Sequence, residues 1–268
     1  MSFVARYGPW ALITGASEGT GAEFALLLAG EGLNLILIAR REGPLAELAT
    51  RVRSAGAEVV TASVDLSAND AAVQVAQAAG AREVGLFIAN AGADTNSALF
   101  LDTDVESWEK LVTLNILTTM RNCHHFGQGM RGRKRGGMIL VGSGSCYGGL
   151  YGLPVYCGVK AFDLTFGEGL WAEMRDYNVD VLNLILGRTN TPAHRRISEA
   201  NGRPFDPSAM ASAADVARVG LEQLPHGPIY NWGQSNDVAG MAPNSPDERR
   251  ARILRIKEMS GKYLKASA

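Results

Sequence analysis

Short apolar runs that alternate with amphipathic segments constrain the fold of this chain more than any other feature. Residues 10–14, 33–39 and 84–89 are apolar at nearly every position. Strands of this kind are buried on both faces, as in a parallel sheet that helices cover. The 268 residues show no break in composition. We therefore predict a single-domain α/β chain, a doubly wound parallel sheet (Rossmann fold) with helices on both faces.

The rest of the chain continues this alternation. Further strands are predicted at residues 58–62, 138–141, 179–186 and 229–232. Helices are predicted at residues 21–30, 45–54, 68–79, 105–127 and 155–176, with Ser67 as the cap of the third. The basic run 131–135 is predicted to be a solvated loop. The segment 192–207 is polar and contains three prolines, so we predict a mobile loop or lid there.

Composition and charge exclude several classes of protein. The formal net charge is -1, so no global field attracts nucleic acid or an anionic membrane. Polar residues and glycines interrupt the most apolar stretch, 24–39, which predicts no membrane span. Residues 1–9 lack the apolar core of a signal peptide, and three cysteines without metal spacing favour a cytoplasmic location. The adjacent His124 and His125 do not share a helix face, so no metal site is predicted.

Three glycines lie in the turn between the first predicted strand and the first helix: Gly15, Gly19 and Gly21. Because they carry no side chains, backbone N–H groups and the positive end of the helix can approach a pyrophosphate. Strand, turn and helix follow one another in the order that a dinucleotide site requires. The alternative is a glycine-rich turn without a ligand.

The residues after the second strand indicate which dinucleotide binds. An acid commonly binds the adenosine ribose there, but this chain has Arg40 and Arg41. Arginine binds a 2′-phosphate through charge-assisted hydrogen bonds, and Ser17 in the glycine turn can add a hydroxyl donor. NADP(H) is therefore predicted; the alternative is a solvated pair of arginines. Glu18 does not help to bind phosphate, so we expect it to face solvent.

Residues at later strand ends extend the predicted cofactor site. Asp65 follows the third strand and can accept a hydrogen bond from the adenine amino group, or it can cap the next helix. Asn90 and Gly92 follow the fourth strand in the sequence Asn-Ala-Gly, where small residues let the chain pass close to a ribose. The alternative is an ordinary turn at the end of a strand.

Tyr156 and Lys160 are four residues apart on a predicted helix and so share one face. Ser143 precedes them, at the end of a strand, on the sheet edge where doubly wound folds bind ligands. A free tyrosine has a pKa near 10, and a nearby ammonium favours its phenolate. Tyr156 can then exchange a proton with a carbonyl or alcohol while Ser143 binds the substrate oxygen. The three residues predict carbonyl–alcohol chemistry with hydride transfer by the cofactor.

The order and spacing of these motifs resemble those of the short-chain dehydrogenase/reductase family, from residue 10 to about residue 192. The resemblance implies that Ser143, Tyr156 and Lys160 are catalytic, and that Tyr156 and Lys160 also contact the cofactor. It implies that Asn115 holds a water in a proton relay with the lysine; a hydrogen bond at a helix kink is a second role, and both can hold. Arg40 resembles the arginine of NADP-preferring members.

The chain departs from the family pattern near two strand ends. Ala89 replaces the first asparagine of Asn-Asn-Ala-Gly, and Leu186 replaces the proline of Pro-Gly after the sixth strand. Arg188 stands where a smaller or apolar residue is common, and it can bind an acidic substrate group or form an outward salt bridge. Thr191 matches the family threonine that contacts the nicotinamide carboxamide.

The predicted substrate pocket combines two tyrosines with small and polar residues. Its members are Ala93, Asp94, Ser145, Cys146, Tyr147, Tyr151, Leu153, Arg188 and the segment 192–207. Cys146 is expected to be a small wall residue rather than a nucleophile. The lining favours a ring or lipid-like substrate.

Together these features predict an NADP(H)-dependent oxidoreductase that interconverts a carbonyl and a secondary alcohol on a small to medium apolar molecule. The cofactor half is expected at 8–135, the catalytic and substrate half at 136–245 and a basic helical tail at 246–268. One alternative is a non-catalytic NADPH-sensing or scaffold protein, which needs only the cofactor half. A second is a sugar-nucleotide epimerase or dehydratase, which needs a larger C-terminal domain. The family resemblance implies a homodimer or homotetramer.

Overall fold

The computed structural model describes residues 2–93, 96, 98–202, 204–232, 250, 251, 254, 255 and 258. Within these residues the strands are β1 (Trp10–Thr14), β2 (Asn34–Ala39), β3 (Val59–Ser63), β4 (Val84–Ala89), β5 (Gly136–Ser143), β6 (Val179–Leu186), β7 (Thr189–Asn190), β8 (Ala211–Ser212) and β9 (Ile229–Trp232). Seven of them form one parallel sheet in the order β3-β2-β1-β4-β5-β6-β9. The short strands β7 and β8 pair with each other.

Helices connect most of the strands. They are α1 (Phe3–Tyr7), α2 (Gly19–Gly30), α3 (Glu42–Ser54), α4 (Ala71–Ala79), α5 (Val105–Val112), α6 (Thr118–Arg133), α7 (Pro154–Met174), α8 (Pro192–Ala200) and α9 (Ala213–Gln223). The predicted doubly wound α/β fold is therefore confirmed.

Each central strand contributes side chains to two separate hydrophobic clusters. In β1, Ala11 and Ile13 belong to one cluster and Leu12 to the other. All three are fully buried. Since successive side chains of a strand point to opposite faces, helices on both sides of the sheet explain why the strand is apolar at every position.

The strand order places a crevice at the carboxyl ends of β1 and β4. The chain leaves β1 for β2 and β3 on one side, and returns to build β4, β5 and β6 on the other. The connections after β1 and β4 therefore run in opposite directions. In doubly wound folds, ligands bind in the crevice that this reversal opens.

The single helix predicted at 105–127 is interrupted in the structure. Between α5 and α6 the chain forms a π-helical turn, Thr113–Leu117. In that turn Asn115 Nδ2 donates to the carbonyl of Leu111, four residues back, at 2.9 Å. Such π-turns are frequent at functional sites because they change the direction of the side chains around them. The hydrogen bond is the structural role that the sequence offered for Asn115.

Two predicted loops are partly helical. The segment 192–207 is not a loop throughout, because α8 occupies its first nine residues. Thr191 caps this helix by accepting a hydrogen bond from His194 N at 3.2 Å, and a proline stands at its first position, which together make a favourable helix start. The basic run 131–135 is also not a loop throughout, because α6 continues to Arg133 and ends at Lys134, whose φ of 52° is left-handed.

Helix α4 begins at Ala71, after Asp70, so Ser67 does not cap it. In the described ranges no helix is both long enough and apolar enough to cross a membrane. Most of the predicted tail 246–268 lies outside the described residues. Those that the structure describes, namely 250, 251, 254, 255 and 258, are helical and exposed.

Asp180 at the start of β6 fixes α1 to the amino-terminal edge of the sheet. Arg6 Nε and Nη2 donate to its two carboxylate oxygens at 2.7 and 2.8 Å. The hydroxyl of Tyr7, a residue only 2% exposed, donates to the same carboxylate at 2.6 Å. Burial, followed by this carboxylate, raises the pKa of Tyr7, so the hydroxyl remains a donor. The network lies at the edge of the sheet opposite the crevice.

Replacement of Asp180 by alanine is expected to lower the free energy of unfolding by about 2–3 kcal/mol, because it leaves the buried Tyr7 hydroxyl and Arg6 without their acceptor. Urea unfolding followed by circular dichroism measures this change. Glu222→Ala is the control, because Glu222 forms an exposed ion pair with Arg218 and its loss should cost about 0.5 kcal/mol or less. Equal unfolding midpoints for the two variants would contradict the assigned role.

Candidate active site

The glycine turn between β1 and α2 is shaped for close approach by a ligand. Gly15 and Gly19 have φ values of 66° and 57°, a left-handed conformation that favours glycine. The backbone N–H of Ala16 donates to Ile38 O of β2 at 3.1 Å. Helix α2 begins at Gly19, so its first N–H groups face the turn, as an anion site requires. The residues present thus fit the pyrophosphate of a dinucleotide.

Asn90, after β4, braces this turn from the other side. Its side-chain amide donates to Thr14 O at 3.2 Å and to Gly15 O at 3.0 Å. A side chain on Gly21 would collide with both Gly15 O and the Asn90 amide. Asn90 therefore shapes the turn through its own hydrogen bonds, and Gly21 is needed because α2 packs tightly against the turn.

The two arginines after β2 have different surroundings. Arg41 forms an ion pair with Glu18 at 2.7 Å, and Glu18 also binds Arg196 of α8. The hydrogen bond from Arg196 is the largest influence that lowers the pKa of Glu18. The expectation that Glu18 faces solvent was wrong, because this carboxylate joins the glycine turn to α3 and α8. Arg40 is exposed, and no ion pair involves it in the part of the chain that the structure describes.

Asp65 lies after β3, close enough to Arg40 for the two charges to interact. Its Oδ1 accepts hydrogen bonds from Ser67 N at 3.0 Å and from Ser67 Oγ at 2.7 Å. These bonds, with a smaller effect of Arg40, lower the pKa of Asp65. The carboxylate is exposed and ionised on the rim of the predicted adenine region. It forms a local turn with Ser67 and does not cap α4.

Tyr156 and Lys160 lie on successive turns at the start of α7. Tyr156 is half-buried, whereas Lys160 is only 2% exposed. Lys160 Nζ donates to Asp163 Oδ2 at 3.0 Å and to Val141 O of β5 at 3.3 Å. Burial alone would lower the pKa of Lys160, but the nearby Asp163 and Tyr156 raise it above its ordinary value. Lys160 is therefore a charged ammonium held against the carboxyl end of β5.

Asn115 and Gly92 approach Lys160 from across the crevice. A Cβ atom on Gly92 would lie 2.5 Å from Asn115 Oδ1 and 3.0 Å from Lys160 Nζ. The end of β4, the π-turn and α7 therefore meet at one point. Asn115 is 1% exposed, and its Oδ1 has no hydrogen-bond partner among the described residues. A buried oxygen of this kind commonly accepts from an ordered water, in keeping with the relay that the resemblance implied.

Ser143 is the last residue of β5 and precedes a 3₁₀ turn, Gly144–Tyr147, that packs against α7. Its hydroxyl accepts from Ser145 N at 3.2 Å and donates to Ser145 Oγ at 3.3 Å. The second bond is long for two hydroxyls. The Ser143 hydroxyl can thus rotate and donate to a closer acceptor instead.

Thr191 lies directly across the crevice from the glycine turn. A Cβ atom on Gly19 would be 3.1 Å from Thr191 Cγ2. The Thr191 hydroxyl already caps α8 through His194 N. Thr191, with the ion pair between Glu18 and Arg196, closes this end of the crevice.

The predicted substrate residues are placed less uniformly. Ser145 lies in the 3₁₀ turn beside Ser143, and Tyr151 is half-buried in the following loop. The Tyr147 hydroxyl donates to Asn231 Oδ1 of β9 at 2.7 Å. Arg188 is exposed, and its charge, after the hydrogen bonds from Ser208, helps to lower the pKa of Asp206. Asp94 lies outside the described residues.

Cys146 is buried, and burial raises its pKa to about 12. This is a neutral thiol and fits the wall residue that the sequence suggested. The sequence did not identify Asp163, the buried partner of Lys160. A usable signal existed, because Asp163 is an acid three residues after Lys160 on an otherwise apolar stretch of a predicted helix.

Comparison with known proteins agrees with this geometry. The family model described as short chain dehydrogenase matches residues 9–202. The 7beta-hydroxysteroid dehydrogenase of Clostridium sardiniense is 32% identical over 265 residues, which are 97% of this chain and 98% of that protein. The very-long-chain 3-oxoacyl-CoA reductase of Laccaria bicolor is 35% identical over 189 residues, 68% of this chain and 55% of that protein.

Solved structures show the same likeness. A 7beta-hydroxysteroid dehydrogenase structure has a TM-score of 0.85 and 27% identity, and the match covers 94% of this chain and 99% of that one. A short-chain dehydrogenase from Sphingobium yanoikuyae in complex with NADPH has a TM-score of 0.75 at 24% identity, over 97% and 98% of the two chains; at that identity it shows a shared fold. With the matched family model, these relatives show that this chain belongs to the short-chain dehydrogenase/reductase family of oxidoreductases, which act on hydroxyl and carbonyl groups.

Proposed function

We propose that this protein is an NADP(H)-dependent oxidoreductase that interconverts a carbonyl and a secondary alcohol on a small to medium, apolar, ring or lipid-like substrate. The observation that carries the proposal is the charged Lys160 ammonium, one turn from Tyr156 and beside Asn115 and Gly92. A sensor or scaffold would need the cofactor crevice but no buried ammonium next to a tyrosine.

The choice of NADP(H) depends on Arg40. Arg41 is held by Glu18, whereas Arg40, directly after β2, is exposed. Ile38 of β2 accepts a hydrogen bond from Ala16, the neighbour of Ser17 in the glycine turn. A free guanidinium and a hydroxyl are suitable donors for a 2′-phosphate. The similar fold that was solved with NADPH is consistent with this choice, but the arginines of this chain support it more directly.

The proposed mechanism uses four side chains. Ser143 and Tyr156 donate hydrogen bonds to the substrate oxygen, and Tyr156 gives up its proton as a carbonyl is reduced. The Lys160 ammonium stabilises the resulting phenolate, and Asn115 Oδ1 holds a water that leads a proton back towards Lys160. The cofactor, when bound, supplies the hydride for reduction or accepts it in the reverse direction. Oxidation of an alcohol uses the same groups in reverse order.

The substrate class depends on the lining of the pocket and on the relatives. Tyr151 is half-buried beside the 3₁₀ turn, and the neutral thiol of Cys146 adds an apolar surface. One relative is named for a steroid alcohol and another for a long acyl chain, so both names denote a bulky apolar body. The substrates that these two names denote share one feature, a ring or an acyl chain that carries the reacting oxygen.

A substrate panel tests this function. Steroid ketones, long-chain 3-oxoacyl thioesters and short polar ketones are each mixed with the protein and NADPH, and loss of reduced nicotinamide is followed by absorbance. We expect turnover with a steroid ketone or an acyl thioester and a lower kcat/KM with the short ketones. Tight NADPH binding without turnover on any carbonyl or alcohol would favour the sensor. Turnover confined to the short polar ketones would contradict the apolar substrate.

A further inference from the structure

Asp163 is a buried charged residue on α7 that the proposed mechanism does not use. The residue is only 5% exposed, and its described hydrogen-bond partner is Lys160 Nζ. The two residues are three positions apart on one helix, so the ion pair connects no two elements of the fold. A buried charge pair is also no more stabilising than apolar side chains of similar size. The stability of the fold therefore does not account for this carboxylate.

The carboxylate restricts where the ammonium can lie. An ammonium has three N–H donors, and Lys160 uses one on Asp163 Oδ2 at 3.0 Å and one on Val141 O at 3.3 Å. These acceptors hold Nζ between α7 and β5. One donor remains for the crevice, where Gly92 and Asn115 lie. Without Asp163, a single backbone carbonyl would have to hold the lysine in place.

The other titratable groups around the pair are neutral or belong to the active site. Burial raises the pKa of Cys146 in the 3₁₀ turn to about 12. Burial, followed by the charge of Asp163, raises the pKa of Cys123 on α6 further. Tyr156 on α7 is the remaining titratable group that acts on Lys160, and Asn115 on the π-turn is uncharged. Burial raises the pKa of the Asp163 carboxyl, and the adjacent ammonium acts against that shift. Among the described residues, Asp163 is thus the acidic side chain that faces the ammonium.

We propose that Asp163 is a positioning residue of the active site: its carboxylate holds the Lys160 ammonium against β5 and offsets part of the positive charge that Tyr156 meets. This inference rests on the proposed roles of Tyr156 and Lys160. A negative charge beside the pair makes it harder to remove a proton from Tyr156 and Lys160 together. Asp163 therefore sets the pH at which the pair becomes able to accept a proton from an alcohol.

The test is the pH dependence of Asp163→Asn. With the negative charge removed, the pair loses its proton more easily, so the pH midpoint of kcat for alcohol oxidation should fall by about one unit. The value of kcat at the plateau should fall as well, because the ammonium loses one of its two fixed acceptors. KM for NADP⁺ should change little. The same midpoint is measured without substrate by following tyrosinate absorbance against pH. Each protein is compared with a variant that also carries Tyr156→Phe, and the difference between the two curves is the titration of Tyr156.

Two further variants separate charge from structure. Asp163→Glu retains the charge and should keep the wild-type midpoint even if the longer side chain lowers kcat. Glu168→Gln makes the same carboxylate-to-amide change at an exposed position of α7, and solvent should screen its effect on the midpoint. If Asp163→Asn fails to fold, Asp163→Ser takes its place, because the smaller side chain leaves room for water.

The outcomes are distinguishable. A folded Asp163→Asn or Asp163→Ser with an unchanged midpoint in both measurements would overturn the inference, as would a midpoint that moves to higher pH. Lower thermal stability with an unchanged midpoint would show a structural role only. Failure of the proposed function looks different: either the wild type turns over no carbonyl or alcohol, or Tyr156→Phe retains turnover, whatever Asp163→Asn does.

Discussion

Replacement of Tyr156 by phenylalanine should lower kcat/KM for carbonyl reduction by about 10²–10⁴-fold, the usual contribution of a positioned general acid. The substitution removes only the hydroxyl, so the half-buried ring can keep its packing at the start of α7. Lys160 keeps its hydrogen bonds to Asp163 and Val141, so its ammonium stays in place. The loss should therefore appear in kcat, whereas the affinity for NADPH should stay close to that of the wild type.

Steady-state kinetics with the best carbonyl of the panel measure the loss, and quenching of protein fluorescence by NADPH measures the affinity. Tyr177→Phe is the matched control, because Tyr177 is an exposed tyrosine in the 3₁₀ turn after α7 and stacks with Arg131. It should retain wild-type kcat/KM. Full turnover by Tyr156→Phe would mean that another group or a water transfers the proton. A parallel loss of NADPH affinity would mean that the substitution disturbs the crevice as well.

The parts of the fold that the sequence predicted well are those that local pattern determines. A strand buried on both faces must be apolar at every position, as Ala11, Leu12 and Ile13 are. The sequence alone therefore predicts β1. The glycine turn was also readable, because its left-handed φ angles and the close approach of Gly21 to Gly15 permit no side chain. Both features depend on contacts that the same few residues make in any doubly wound fold.

The parts that were wrong or missed depend on contacts between distant segments. Glu18 was expected to face solvent. Its partner Arg196 lies 178 residues away in the sequence, so no local pattern predicts the ion pair between them. Helix α8 was assigned to a loop, because the three prolines and the polar residues of segment 192–207 suit a loop unless Thr191 caps the first turn. Asp163 follows Lys160 by three residues, but the sequence predicted no role for it, because an acid and a lysine at this spacing form an ordinary surface pair of a helix until their burial is known.

The local and the distant contacts meet at the cofactor crevice. Gly19 begins α2 and lies close to Thr191, the N-cap of α8, and Glu18 binds Arg196 of α8 in the same region. A ligand bound at the glycine turn would therefore lie near the first turn of α8. Substitutions in α8 can for this reason change cofactor affinity, and a Glu18 variant is a necessary control for the arginine variants.

Arg40→Ala should raise the dissociation constant for NADPH by about 10–50-fold, the equivalent of one charge-assisted hydrogen-bond pair. The affinity for NADH, which lacks the 2′-phosphate, should stay unchanged. Arg40 is exposed and lies near Asp65, so its loss leaves the core intact. Titration of each nucleotide, followed by protein fluorescence, gives the ratio of NADPH to NADH affinity. Competition by adenosine 2′,5′-bisphosphate, compared with competition by adenosine 5′-phosphate, isolates the contribution of the 2′-phosphate.

Arg41→Ala is the matched control, because its guanidinium is already bound by Glu18 at 2.7 Å. It should change the ratio of NADPH to NADH affinity by much less than Arg40→Ala does. Glu18→Gln removes the charge that holds Arg41 and should therefore strengthen NADPH binding, since a second arginine becomes free for the phosphate. An unchanged ratio in Arg40→Ala together with a large loss in Arg41→Ala would transfer the phosphate site to Arg41. Unchanged ratios in both variants would mean that neither arginine selects the cofactor.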